Sequence, residues 1–593
     1  MYKYQAVVAF AIVLAFIIPG SAAFANVENE TLGVIVSETS EPLTTDWWPK
    51  FHHDLANTGY STSTAPGTPI NSVSKETDSL HVRALSDDLL IPSDIINNAN
   101  TINAGPPPGF YDTSEYMIGS VAVGVLFLES NGLGEPSTET WTLTEETQVT
   151  IQIQQGLSWW RARNPSANVN FVYDWNYRVP VSIEPINNPS VFTNPSWEER
   201  WVDESMAYLG FSSGDRFART RSYLNNLRTN RGTDWSFAVF VIDSSNDPDG
   251  MFSDGYYAEG YLGGPFIVMT YDNDGYGIDR MDYVTAHETG HIFYATDEYN
   301  NRAEYSGYLN VLDNDNVSSC VMKSYSWVVC EATRQQIGWR DSDGDGIQDI
   351  VDTNPETTLT PYSPDPTSDD TPTYTGTSTV VPYTNNNPWG PGNDVSINTI
   401  SNVRYRVDGG TSNDATASDG AFNGYVEGYT FTTSSLSRGT HTIEAYSINS
   451  VGNLAPTPAS DTITIDNAPN APSRPSGQIS GNIGVSYPYS SSTIDPDGDQ
   501  VYYQWDWGDG TNSGWLGPFA SGAQVSAQKS WSVKGSYSIQ VRARDTFGAE
   551  SPWSDPLPIT MPYSFNRPIQ QFLELLFQRF PHAFPILRHL LGY

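Results

Sequence analysis

Basic residues, and charged residues in general, are scarce in this chain. Lys and Arg together number 29, against 68 Asp and Glu, so the formal net charge is −39. Phosphate recognition needs basic patches, and this balance therefore argues against nucleic acid as a partner. The charged share is only 16%, while Gly, Pro and Tyr are abundant. This composition argues against a coiled coil or wholesale disorder and favours β-rich modules with many turns.

The apolar run near the N-terminus is too short to favour a membrane span. It covers residues 6–18, follows Lys3 and ends at Pro19 and Gly20. A positive residue, an apolar stretch of this length and the A-x-A site at 23–25 are typical of a secretory signal peptide. We therefore predict a signal peptide over 1–25, cleavage after Ala25 and a secreted or cell-surface protein.

Cysteine is rarer still, because the chain has only two, Cys320 and Cys330. A close pair in an exported protein predicts a disulfide. The loop it would close is short, so the expected stabilisation is roughly 2–3 kcal/mol at best. The expected role of the bridge is local, namely to fix the shape of one loop.

One stretch, residues 283–299, carries the clearest chemistry. Its letters are YVTAHETGHIFYATDEY. His287 and His291 are four residues apart, so on a helix they project from one face and can bind one Zn²⁺ together. Glu288 can reach the open side of the metal and act as general base toward water. A third ligand is needed, and Asp297 is the candidate, with Glu298 or Glu304 as alternatives.

The sequence around this stretch predicts an α/β (α+β) layer. Apolar runs predict strands, and helical spacings predict helices that cover the sheet. The predicted strands are 115–129, 170–181, 235–243 and 266–271, and the predicted helices begin at Thr144 or cover 197–209 and 219–228. The last strand should lie beside the metal helix, where its edge could pair with an extended peptide.

Two of these motifs together resemble the metzincin zinc endopeptidases. That family has HExxHxxGxxH or HExxHxxGxxD, followed later by a Met-containing turn. Here His287–Asp297 match the first motif and residues 319–322, SCVM, match the second. The resemblance covers about 110–340. It implies a mixed-sheet catalytic domain, Asp297 as third ligand, Met322 as packing beneath the zinc, and a bridge from Cys320 to Cys330 that clamps the turn.

One position departs from the family pattern. Tyr294 stands where the family has Gly, and a Tyr with positive φ would be strained. The sequence therefore predicts that the chain leaves the metal helix differently.

Residues 341–349 read DSDGDGIQD. Alternating carboxylates with a Gly at the bend match the start of a Ca²⁺-binding loop and resemble thrombospondin-type repeats. We predict calcium at Asp341, Asp343, Asp345 and Asp349, with an acidic flexible hinge as the alternative. The rest of 341–372 is predicted to be a linker.

Two β-sandwiches are predicted after the linker. Short alternating runs separated by Gly and Asn turns predict an Ig-like sandwich over 373–466. In the second, 467–562, the runs VYYQWDWGDG and GSYSIQVRARD resemble the signature strands of PKD (polycystic kidney disease) domains. Such modules imply binding of polymers or of a cell surface.

The two ends of the mature chain differ from these modules. Residues 26–105 have no strong periodicity and are predicted to be an irregular, propeptide-like segment. Residues 563–593 carry an apolar helical face with added basic residues, which predicts an interfacial helix in peripheral contact with a membrane or a helix docked on the preceding domain.

The sequence as a whole predicts a multidomain, secreted zinc metalloendopeptidase that acts on protein or peptide substrates. The alternative is a catalytically inactive surface or adhesion protein that binds through its β-sandwiches. The presence of His287, Glu288 and His291 together argues against the inactive form.

Overall fold

The structure, a computed structural model, describes residues 89–98, 105–273, 276–299, 303–562, 567–582, 585–586 and 589. The predicted signal peptide, most of the segment 26–105 and part of the predicted tail lie outside the described residues. Within the described residues, no helix combines the length and apolar character needed to cross a bilayer.

A five-stranded mixed sheet organises the first part of the described chain. Its strands are β1 (Ser120–Ser130), β2 (Asn170–Val181), β3 (Trp235–Ile242), β4 (Ala258–Gly260) and β5 (Phe266–Thr270), in the order β2-β1-β3-β5-β4. β4 alone runs antiparallel, pairing with β5. The outer edge is thus β4, and not the last strand as the sequence predicted. The reason is that three residues are too few to give a strand pattern.

Helices cover both faces of this sheet, so β1 and β3 at its centre are buried on both sides, whereas the edge strand β2 is partly exposed. One face packs against α2 (Leu143–Arg163) and α5 (Met281–Ile292), the other against α3 (Pro195–Tyr208) and α4 (Arg216–Arg231). Along β1, Val123 and Val125 point to the first face and Leu126 to the second. A short helix, α1 (Ser93–Asn98), is held to α4 by the buried ion pair of Asp94 with Arg221 at 2.7 Å.

The N-cap of helix α2 lies two residues earlier than predicted. The N-cap is Thr142 and not Thr144, because Thr142 and Glu145 form a capping box. The helix then packs directly on α5, where Trp160 Nε1 donates a 2.8 Å hydrogen bond to the carbonyl oxygen of Ala286. Helix α2 therefore supports the helix that carries the HExxH motif.

Short elements follow α5. A small hairpin joins β6 (Tyr305–Ser306) to β7 (Val311–Leu312), and α6 spans Glu331–Gln336. In α6, Gln336 accepts from the Thr296 N–H at 3.0 Å and donates to its hydroxyl at 2.9 Å. This pairing fixes the segment just before Asp297.

The first β-sandwich begins earlier than predicted. Its sheets have the orders β12-β13-β9-β8 and β11-β10-β14-β15. The predicted linker contains β8 (Glu356–Leu359), which pairs with β9 (Thr373–Thr379) and packs Leu359 on the sandwich core. The remaining strands are β10 (Ile400–Val407), β11 (Asn413–Asp414), β12 (Thr416–Ala417), β13 (Val426–Thr432), β14 (Gly439–Asn449) and β15 (Ala459–Ile465).

The loop between β9 and β10 returns to the α/β layer. Trp389 packs against Leu262 and Tyr294, and its Nε1 donates to the carbonyl oxygen of Tyr305 at 2.7 Å. Asn393 Nδ2 donates to the buried carboxylate of Asp112 at 2.9 Å. The predicted boundary between the α/β layer and the first sandwich is therefore bridged by this loop.

The second β-sandwich pairs strands in the orders β16-β17-β20 and β19-β18-β21-β22. These are β16 (Ser476–Gly477), β17 (Tyr487–Ser491), β18 (Val501–Asp506), β19 (Leu516–Phe519), β20 (Val525–Lys529), β21 (Gly535–Arg544) and β22 (Leu557–Met561). Beyond it, helix α7 (Arg567–Arg579) carries the apolar face predicted for the tail, on which Phe572 is exposed and Phe577 is buried.

Gly156 allows α2 to approach α5 closely, because a Cβ at this position would lie 2.3 Å from the carbonyl oxygen of Asp282. Gly→Ala within a helix normally stabilises by about 0.5–1 kcal/mol. Here we expect Gly156→Ala to destabilise by about 1–3 kcal/mol, because the clash is with backbone. Urea denaturation checks this, with the exposed Gln155→Ala as the matched control. A Gly156→Ala variant as stable as the wild type would contradict the close approach.

Candidate metal centre

The two histidines of helix α5 face one carboxylate. The ring centroids of His287 and His291 are 5.0 Å apart. The Nε2 atoms lie 3.3 Å (His287) and 3.6 Å (His291) from Oδ1 of Asp297. All three side chains are buried, and their ligand atoms lie within 4.8 Å of one another. The structure thus brings together the three residues whose spacing suggested a zinc site.

Backbone carbonyls fix which imidazole nitrogen carries the proton. Nδ1 of His287 lies 2.9 Å from the carbonyl oxygen of Val321, and Nδ1 of His291 lies 2.8 Å from that of Ala295. A carbonyl only accepts, so each Nδ1 donates and each Nε2 is turned toward Asp297. Burial lowers the pKa of His291, which favours the neutral imidazole that metals bind.

The alternative third ligands lie elsewhere. Glu298 points into a separate cluster with Cys320 and Cys330. Glu304 belongs to none of the metal-sized groups among the described residues, and its N–H donates to Asp313. Asp297 is therefore the carboxylate that the structure places with the histidines.

Tyr299 is a member of this site that the sequence reasoning missed. Its hydroxyl forms a hydrogen bond with Asp297, and burial raises its pKa well above the ordinary value. The hydroxyl therefore stays protonated and donates to the carboxylate. The signal in the sequence is its spacing, since residues two apart in an extended segment share a side.

The chain leaves helix α5 at Tyr294, whose backbone lies in the left-handed region. Tyr294 has φ 66°, so the predicted departure from the family geometry is wrong. Its ring is buried against Leu262 and Trp389, and its carbonyl oxygen accepts from the Ser306 hydroxyl at 2.7 Å. A left-handed non-Gly residue costs about 1–2 kcal/mol, which burial of a large aromatic ring can offset.

Glu288 is buried beside the site and faces the edge strand. Burial raises its pKa to about 8. Neither carboxylate oxygen has a hydrogen-bond partner among the described residues. A Cβ at Gly260 of β4 would lie 2.8 Å from Glu288 Oε2, so only the absence of a side chain there makes room. A buried carboxyl group held in this way is suited to proton transfer.

Met322 lies beneath the histidines as the resemblance implied. A Cβ at Gly290 would lie 2.5 Å from its Sδ, so the thioether packs directly on the helix backbone between His287 and His291. The carbonyl oxygen of Met322 accepts from the Glu298 N–H at 2.9 Å. The Met-containing turn is thus joined to the segment that carries Asp297.

The predicted disulfide is not formed in this structure. Cys320 and Cys330 are both free and buried, although they lie side by side. The Cys330 thiol instead donates to Glu298 Oε1 at 2.7 Å, and Thr333 Oγ1 lies 3.2 and 3.3 Å from the two sulfurs. That a buried carboxyl group shares this site was not predicted from the sequence.

The acidic loop keeps three of its four predicted ligands together. Carboxylate oxygens of Asp341, Asp343 and Asp345 lie within 4.8 Å of one another and are exposed. Asp349 is not among them, because it pairs with Arg340 at 2.5 Å and accepts from Ser342. The structure therefore places the Asp349 carboxylate apart from the other three predicted ligands.

Two substitutions at Tyr294 separate backbone strain from packing. Tyr294→Ala and Tyr294→Gly both lose the buried ring, which should cost about 3–5 kcal/mol. Only Gly also relieves the positive φ, so we expect Tyr294→Gly to be about 1 kcal/mol more stable than Tyr294→Ala. Urea denaturation of both variants tests this. Equal stabilities would show that the residue is not held in the left-handed region.

Comparison with known proteins identifies one domain. Residues 467–560 match the PKD domain family model. The PKD domain of an M14-like peptidase from Thermoplasmatales archaeon SCGC AB-540-F20 is 41% identical, with 16% of this chain and 99% of that chain covered and a TM-score of 0.16. The PKD1 domain of Vibrio anguillarum Epp is 22% identical, with 16% and 96% covered and a TM-score of 0.11.

Other likenesses are more distant. The FN1–FN3 domains of chicken CNTN1 are 15% identical over 34% of this chain and 65% of that chain, with a TM-score of 0.13. No curated protein matches the chain. The predicted PKD-like module is confirmed, and the second β-sandwich, residues 467–560, is a PKD domain.

Proposed function

We propose that this chain is an exported zinc-dependent metalloendopeptidase. The observation that supports this is the convergence of two imidazole nitrogens and one carboxylate oxygen, from His287, His291 and Asp297, beside the buried carboxyl group of Glu288. A purely structural ion pair gives no reason for a second buried carboxyl group beside it that has no hydrogen-bond partner. A hydrolytic metal centre gives such a reason, because it needs a general base.

The donor set suits zinc. Two neutral imidazole nitrogens and a carboxylate oxygen are zinc ligands, and three protein ligands leave one position open for chemistry. When bound, zinc supplies Lewis acidity toward a peptide carbonyl and toward water. The hydrogen bonds from each Nδ1 to a backbone carbonyl would orient the rings toward the metal.

Glu288 is the proton carrier in this proposal. It accepts a proton from the water that attacks the peptide carbonyl and then delivers that proton to the departing amine nitrogen. Its burial, which raises its pKa to about 8, suits a group that must both accept and give up a proton near neutral pH. The C–N bond breaks as the nitrogen is protonated.

Strand β4 supplies a place for the substrate backbone. It is the outermost strand of the sheet, and Gly260 in it lies against Glu288. An extended peptide that paired with the outer edge of β4 would therefore pass the general base. This arrangement favours protein or peptide substrates over small esters.

The modules outside the α/β layer are proposed to hold the substrate. The PKD domain and the first β-sandwich would bind a polymer or a cell surface, and the exposed apolar face of α7 would contact a membrane surface. Asp341, Asp343 and Asp345 would bind Ca²⁺ at the start of the first sandwich.

Replacing the proposed base should separate catalysis from metal binding. Glu288→Gln is expected to keep its zinc and to lower the rate of casein or peptide-library cleavage by about 10²–10⁴-fold, the usual contribution of a general base. Zinc is measured by metal analysis, and a chelator serves as the inactive reference. Cleavage at the wild-type rate would refute the role of Glu288. Absence of cleavage by zinc-loaded wild type would instead favour the binding or adhesion protein.

The third ligand is tested by affinity. Asp297→Asn should weaken zinc binding at the histidine site by at least about 100-fold, because a ligand contributes more than the outer partners whose loss costs 10–100-fold. Glu304→Gln is the matched control and should bind zinc normally. Normal affinity in Asp297→Asn together with weakened affinity in Glu304→Gln would assign the ligand to Glu304.

A further inference from the structure

A second group of metal-ligating side chains lies behind the Met-containing turn. It consists of Glu298, Cys320 and Cys330, which come from three separate segments of the chain. A carboxylate oxygen and the two sulfurs lie within 4.8 Å of one another. Glu298 and Cys320 are fully buried, and Cys330 is 8% exposed. The proposed hydrolytic function makes no use of this group.

The hydrogen bonds of the group leave one polar atom unused. Cys330 and Thr333 both donate to Glu298 Oε1, at 2.7 and 2.9 Å. Glu298 Oε2 is buried and has no hydrogen-bond partner among the described residues. A buried carboxylate oxygen without a partner is costly, and a bound cation removes that cost. This oxygen therefore points to a ligand that the hydrogen bonds do not supply.

The chemistry of the donors selects the class of metal. Thiolate sulfur favours zinc and other soft or borderline ions over calcium and magnesium. Sulfur ligands at about 2.3 Å and oxygen ligands at about 2.0–2.2 Å place tetrahedral ligand atoms roughly 3.5 Å from one another. That separation is compatible with the spacing of this group. The Thr333 hydroxyl, which donates to Glu298 Oε1, lies 3.2 and 3.3 Å from the two sulfurs.

We propose that Glu298, Cys320 and Cys330 form a second zinc site, structural in role, behind the histidine site. It binds one Zn²⁺ through two thiolates and one carboxylate.

Its position explains what it would hold in place. Glu298 directly follows Asp297, and its N–H donates to the carbonyl oxygen of Met322. Cys320 directly precedes Val321, whose carbonyl oxygen orients His287. A metal bound here would join the segment of the third ligand to the turn beneath the histidines. The metal would thereby hold the Asp297 segment and the Met-containing turn in place around the histidine site.

A disulfide between the same sulfurs is the competing state. Its formation joins the two sulfurs and transfers two electrons and two protons to an oxidant, such as a low-molecular-weight disulfide. The bridge would remove the Cys330 thiol that donates to Glu298, and Glu298 Oε2 would remain buried without a hydrogen-bond partner in the described part of the chain. Zinc engages all three side chains, so the observed grouping favours the metal.

Cobalt substitution distinguishes the two states on the full chain. The protein is purified without added oxidant, stripped of metal, reduced and loaded with Co²⁺. Wild type should show intense sulfur-to-cobalt charge-transfer absorption, because the proposed second site has two thiolates and the histidine site has none. The band should persist in His287→Ala/His291→Ala and disappear in Cys320→Ser/Cys330→Ser.

Metal content and mass give the second measurement. Zinc-loaded wild type should hold two ions and each double variant one. Glu298→Gln should weaken zinc binding at the sulfur site, while Glu331→Gln, exposed at the start of α6, should not. If the cysteine double variant does not fold, the histidine double variant still tests the proposal. It should show the sulfur-to-cobalt absorption and hold one zinc ion.

Two results would overturn the proposal. One is wild type without sulfur-to-cobalt absorption after reduction. The other is protein as purified with a mass lower by two hydrogens and no alkylatable thiol, which would show a disulfide. Neither result depends on proteolysis, so the proposed peptidase activity stands or falls separately.

Discussion

The hydrogen bond from His287 Nδ1 to the carbonyl oxygen of Val321 links the two halves of the candidate centre. It joins helix α5 to the Met-containing turn and turns Nε2 toward Asp297. Val321 lies between Cys320, which faces the second cluster, and Met322, which packs beneath Gly290. Movement of this one turn would disturb both clusters at once.

Burial of carboxyl groups is the second constraint. Glu288, Asp297 and Glu298 lie within eleven residues and are each at most 5% exposed. Buried carboxylates oppose folding unless they are protonated, paired or bound to a cation. Burial indeed raises the pKa of Glu288 to about 8 and of Glu298 to about 9. The chain retains these costly groups where metal chemistry, and not stability, would explain them.

Sequence patterns predicted what depends on local periodicity and spacing. β3 stands out as an apolar run, and the four-residue spacing of His287 and His291 needs only helical geometry. What depends on distant packing could not be predicted. The strain of the positive φ of Tyr294 is offset by burial of its ring against Leu262 and against Trp389, nearly a hundred residues away. Likewise, the Asp349 carboxylate pairs with Arg340 and lies apart from the other carboxylates of the acidic loop.

The loop that carries Trp389 and Asn393 has a consequence for how such a chain can be assembled from modules. The PKD domain contacts the first sandwich through Arg438, which pairs with Asp497 at 3.6 Å and lies over the ring of Phe547. The first β-sandwich is in turn built into the α/β layer, because its loop forms part of the wall behind Tyr294 and covers Asp112. Gene rearrangements that exchange modules should therefore move the α/β layer and the first sandwich together, as one inherited piece.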